Sequence, residues 1–128
     1  MSANPKKKLS GTMAERADIH ELYEQSVQAV DVEVEFLRQT FRELRGREAM
    51  SFREDFCGTA SLSCEWARSG ARRHAVGVDI DAAVLEWGRR NRVARLPESA
   101  RARVKLLNDD VRTVQTAAVD LVGAFNFS

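Results

Sequence analysis

The 128 residues are 44% apolar and 30% charged, with 20 Lys and Arg against 19 Asp and Glu for a formal net charge of +1. That balance fits a soluble globular domain with a core of its own, and it excludes a disordered chain or one that coats nucleic acid through bulk charge. No apolar run approaches the roughly 20 residues of a bilayer-spanning helix, so no membrane partner is expected.

Residues 1–13 are polar, carry Pro5, Gly11 and the run Lys6-Lys7-Lys8, and bury too little apolar surface to offset ordering entropy. They read as a flexible tail without the apolar core of a signal peptide. Across 14–46 the residues Ile19, Tyr23, Val27, Val30, Val34, Leu37, Phe41 and Leu44 recur at steps of three and four, which predicts helix. Two helices are preferred, with a bend near Val30 and Asp31 capping the second, because β-branched residues there weaken one continuous rod. The same stripe is heptad-like, so a coiled-coil arm is an alternative, and Tyr23 reads as packing rather than as a cover over a ligand.

After Gly46 strands and helices alternate, and 47–128 reads as one α/β domain. Strands are predicted at 49–53, 75–79, 104–107 and 121–127, and helices at 59–69 and 82–95, with 111–118 a short helix or loop. Such alternation predicts a parallel sheet flanked by helices, with ligands held beyond the carboxyl ends of its strands.

Three of those strand ends carry acids. Glu54-Asp55-Phe56-Cys57-Gly58-Thr59-Ala60 runs from a strand through small residues straight into a helix, and Gly58 lets backbone approach a ligand. Val78-Asp79-Ile80-Asp81 places Asp79 roughly 20 residues beyond Gly58, the offset at which such folds bind ribose hydroxyls. Asn108-Asp109-Asp110 ends the third strand, where a carboxylate can accept from an adenine amino group. The bland alternatives are that Asp79 or Asp81 caps the following helix, with capping assigned to Asp81, and that Glu54 and Asp55 form an exposed turn pair beside Arg53.

These three segments resemble the motifs of class I S-adenosylmethionine (SAM) dependent methyltransferases: an acid-x-Gly-x-Gly-x-Gly loop, an acid after the second strand, and an adenine-contacting acid after the third. The resemblance covers about 52–128 and includes the apolar fourth strand from Leu121. It implies a Rossmann-like parallel sheet, of which this chain carries about four of the family's usual seven strands, preceded by amino-terminal helices. It further implies SAM as cofactor, with Glu54 at its methionine end, Gly58 lining it, Asp79 on the ribose and Asp110 on the adenine, Asp109 being the register alternative. Asn126, at the end of the fourth strand, is implied to face the transferring methyl both as a catalytic and as a cofactor-binding residue, with Phe127 shaping that cavity. The loop departs from the family pattern at Phe56 and Ala60, which stand where its first and third glycines usually are.

The implied activity is methyl transfer to an acceptor of unknown class. An NAD(P)- or flavin-binding oxidoreductase on a similar fold is the first alternative, against which the loop supplies no Gly-x-Gly-x-x-Gly. A non-catalytic interaction protein on the same fold is the second. Ending at a fourth strand, the chain resembles a truncated member of the family, which predicts an unpaired sheet edge and either poor solubility or a homodimer through that edge. Cys57 and Cys64 show neither a disulfide framework nor metal-ligand spacing, so no metal and a cytoplasmic setting are expected. Cys57 has no nearby histidine to make it a nucleophile, and Phe52, Trp66 and Trp87 read as packing residues rather than cofactor stackers.

Overall fold

A computed structural model describes residues 30–125. Helix α1 occupies residues 30–45, and the remaining elements are β1 (Ser51–Asp55), α2 (Ser61–Arg68), β2 (His74–Asp79), α3 (Ala82–Asn91), a 3-10 turn (Val93–Arg95), α4 (Glu98–Arg101), β3 (Val104–Asn108) and β4 (Leu121–Gly123). The four strands form one parallel sheet in the order β3-β2-β1-β4, the Rossmann-like arrangement. The 111–118 stretch is irregular rather than helical.

Register and the two-residue side-chain period decide which residues meet the helices. Phe52 pairs with Ala75 and Leu121, and Glu54 with Gly77 and Gly123, so these share one face. Phe52 and Ala75 enter a core with Val34 and Phe41 of α1 and Leu62 and Trp66 of α2. The Phe52 and Trp66 rings lie 5.4 Å apart and tilted, and the Trp66 indole N–H donates to the Met50 carbonyl at 3.2 Å, so its one polar atom is satisfied inside the core. On the opposite face, Arg53 donates to the Val111 carbonyl and the Thr116 hydroxyl and so ties down the irregular stretch.

The apolar stripe of α1 is therefore taken up by the domain's own core through Val34 and Phe41, with Val30 and Leu37 packed against it. Leu44, counted in the heptad pattern, is exposed instead. Asp31 lies inside the helix rather than capping it, and its carboxylate faces Arg68 of α2 at 3.8 Å. Any bend before Val30, and Tyr23 with it, falls outside the described residues.

The carboxyl end of α2 is closed by a distant cation. Arg103 donates to the carbonyls of Ala67 and Gly70 at 2.8 and 2.9 Å and also to that of Arg73, placing positive charge where the helix leaves carbonyls unpaired.

Candidate functional site

The sheet order reverses at β1: the chain passes from β1 to β2 and β3 on one side and returns to β4 on the other. A crevice beyond the carboxyl ends of the strands is expected at such a point. The segments that meet there are 56–60 after β1, 80–81 after β2 and 109–112 after β3.

The β1–α2 loop turns sharply because three of its residues take left-handed backbone: Phe56 at φ +57°, Gly58 at +59° and Ala60 at +67°. Only glycine does this without cost, and an L-residue there gives up roughly 1–2 kcal/mol. Phe56 and Ala60, the two departures from the glycine pattern, thus keep the backbone that glycine would adopt. The Cys57 amide donates to the Val78 carbonyl at 2.9 Å and the Ala60 amide to the Cys57 carbonyl at 2.9 Å, so the turn is fixed from both ends. On its outer side α3 approaches closely enough that a Cβ on Gly88 would lie 2.5 Å from the Thr59 carbonyl oxygen.

Glu54 is 2% exposed, not part of an exposed turn pair. Its Oε1 accepts from the Ser63 amide at 3.1 Å and the Ser63 hydroxyl at 2.7 Å. Ala60 has no side chain able to cap α2, so a carboxylate from the preceding strand accepts one of the helix's free amides. Burial pushes the Glu54 carboxyl up to about 7, against the lowering effect of the Ser63 hydrogen bonds. Asp55 points to the other face of the sheet, where Arg53 donates to it at 2.7 Å. Cys57 is buried and its thiol raised by burial, which makes it unreactive.

Asp79 ends β2 half-buried, with both oxygens already engaged: Oδ2 accepts from the Gly58 amide at 2.8 Å and Oδ1 from the Asp81 amide at 2.9 Å. A carboxylate has about four acceptor positions, so two remain for further donors. Capping of α3 falls to Asp81, whose Oδ1 accepts from the Ala83 and Val84 amides at 3.1 and 3.2 Å. The end of β3 docks on the same point, since the Asp109 amide and the Asn108 side-chain amide both donate to the Asp79 carbonyl at 3.1 Å.

Beyond these ends lies a cleft of about 250 Å³ lined by Phe56, Ile80, Asp109, Asp110, Val111 and Arg112. Asp110 chelates Arg112, with contacts of 2.6 and 3.0 Å, and accepts from the Arg112 amide at 2.8 Å; these hydrogen bonds hold its carboxyl down at about 2. Asp109 is exposed beside it and accepts from the Asp110 amide at 2.7 Å. Phe56 is 44% and Ile80 71% exposed, so two large apolar side chains stand open to solvent beside the acids.

The structure therefore brings Gly58, Asp79, Asp109 and Asp110 to one edge of the sheet and sets Glu54 beneath it. Asn126 and Phe127 lie outside the described residues. Phe56 and Ile80 line this cleft, although the sequence marks Phe56 only as a departure from the loop's glycine pattern and does not single out Ile80; the available signal for Ile80 is an apolar residue between two acids at 79 and 81, where neither strand nor helix periodicity gives it a core position. Trp66 and Phe52 are core residues, whereas Trp87 is 41% exposed on α3 with the Arg92 guanidinium over its ring. Among the described residues no group of His, Cys, Asp or Glu is arranged to hold a metal, and no helix is long and apolar enough to cross a membrane.

No protein-family model matches the chain, and no curated protein does. Solved structures do. The plantazolicin methyltransferase BpumL in complex with SAH is similar with a TM-score of 0.64 at 9% identity, over 88% of this chain and 42% of that one. The methyltransferase domain of bacterial CtHen1 gives 0.57 at 22%, over 76% of this chain and 48% of that one. The glycopeptide N-methyltransferase MtfA complexed with sinefungin gives 0.54 at 19%, over 68% and 34%. This chain thus spans less than half the length of each, and what it has in common with them is the Rossmann-like α/β fold.

Proposed function

We propose that this chain carries the SAM-binding part of a methyltransferase. The observation that carries the proposal is the joining of Gly58 and Asp79, a left-handed turn and a strand-end carboxylate 2.8 Å apart, in the same two loops whose Phe56 and Ile80 line a cleft with two further acids. That the fold is similar to methyltransferases solved with SAH and with sinefungin supports the same reading.

The residues present fit such a cofactor. Asp79 retains acceptor capacity for the two ribose hydroxyls while its other positions hold the Gly58 loop and the start of α3. Gly58 offers backbone without a side chain at the point of closest approach. Asp109 or Asp110 accepts from the adenine amino group, Asp110 being already oriented by Arg112. Glu54 acts from below, fixing the amino end of α2 under the methionine end. Asn126 is the residue proposed to face the methyl.

When bound, SAM supplies a methyl group on an activated sulfonium leaving group, so the protein's task is alignment of the acceptor with that methyl. Neither a metal nor a covalent nucleophile is needed for that displacement. Two buried free thiols suit a reducing cytoplasm.

Calorimetric titration with SAM and SAH tests the proposal. Binding should be measurable, and Asp79→Ala should weaken it at least tenfold, the hydrogen bonds to a charged acceptor being worth about 1.5–3 kcal/mol. Equal binding by both proteins would remove Asp79 from the site, and saturable NAD binding in place of SAH would favour the oxidoreductase alternative.

A further inference from the structure

Phe56 combines three properties that ordinary packing does not explain. Its backbone is left-handed at φ +57°, where a bulky L-residue is an outlier and glycine, Asn or Asp would sit more easily. Its ring is not used by the core, being 44% exposed in a domain whose largest buried side chains include Phe52 and Trp66. It borders the cleft with Ile80, beside Asp109 and Asp110. Strain at a residue that still leaves 44% of its surface open to solvent points toward a bound state in which the side chain is covered.

We infer that Phe56 is a stacking wall for a purine base, set with Ile80 around the planar group while Asp109 or Asp110 takes its exocyclic amino group. This deepens the SAM reading and rests on it for the choice of adenine. An aromatic ring gains from contact with the face of any base, and an exposed one beside hydrogen-bonding carboxylates supplies both the apolar and the polar half of base recognition. The glycine that the family pattern places at this point has no ring to offer, so the strained Phe56 adds contact area to the cofactor's base that the backbone alone does not.

The test uses the whole chain, with SAH and adenosine as separate probes. Phe56→Gly and Phe56→Asn tolerate left-handed backbone and should weaken binding of both probes about tenfold or more while leaving the melting temperature level or higher. Phe56→Trp should keep wild-type affinity. Nuclear Overhauser contacts between the adenine protons and the Phe56 ring in the wild-type complex give a readout independent of any variant. Binding by Phe56→Gly and Phe56→Asn within twofold of wild type, or absence of those contacts in a saturated complex, overturns the inference; loss of affinity together with a fall in melting temperature of more than about 5 °C assigns Phe56 to packing and overturns it too. Wild-type binding of adenosine without SAH would sink the SAM reading yet leave Phe56 to be judged on adenosine, and binding of neither would sink both.

Discussion

Replacing Glu54 by Gln probes the loop through a single proton. The carboxyl is buried between β1 and α2 and titrates at about 7 in the folded protein against an ordinary 4.5. That separation, at about 1.36 kcal/mol per tenfold step in proton affinity, comes to about 3 kcal/mol. The folded state holds the proton more tightly than the unfolded state. The contribution is therefore fully present below about pH 4.5 and is lost as pH rises through 7, where the folded state must carry a buried charge. Gln keeps an oxygen for the Ser63 amide and hydroxyl but cannot ionise. Urea unfolding of both proteins between pH 4.5 and 8.5 should show wild-type stability falling relative to Glu54→Gln by up to about 3 kcal/mol, with most of the change between pH 5 and 7.5. Comparing the two proteins removes the slopes of all other groups. Parallel curves would refute the reasoning, because they would mean that Glu54 already ionises at an ordinary pH and that burial does not govern it.

At the opposite end of β1, Asp120 accepts from the Arg47 guanidinium and from the Met50 and Ser51 amides, and the Arg47 hydrogen bond foremost holds its carboxyl down at about 2. Its contribution is present above pH 3.8 and lost as pH falls toward 2, so Asp120→Asn should flatten the acid limb of the stability profile measured by circular dichroism. Trp66→Ala should cost about 3–5 kcal/mol in urea unfolding, since the ring is fully buried against Phe52 and under the Arg73 guanidinium; a loss below 1 kcal/mol would mean that the helix layer is not packed as described.

Much of the sheet is legible in the sequence because Val- and Leu-rich runs closed by acids have no other good solution in an α/β chain. The observed β2 and β3 differ from the expected spans by one residue at an end. The losses are local. β4 was expected over 121–127 but spans Leu121–Gly123, since apolar character alone does not say where a strand stops pairing. Helix α4, four residues after Pro97, is too short to show a period. In the site, acids at strand ends are readable because their position along the chain determines their place in the fold. Glu54 is different: its partner lies nine residues away on α2, and only tertiary contact turns an apparently exposed pair into a buried cap. Ile80 is not legible because composition equates apolar with interior, and Phe56 reads only as a departure from the loop's glycine pattern.

The double engagement of Asp79 bears on how this site would change over generations. One carboxylate braces the β1 loop and the start of α3 before any ligand arrives. A descendant that lost ligand binding at this edge would still be selected to keep the acid, for folding. Presence of an acid at this position in a related chain is thus a poor marker of activity, whereas the exposed side chains at 56 and 80 carry no such second duty and would drift first.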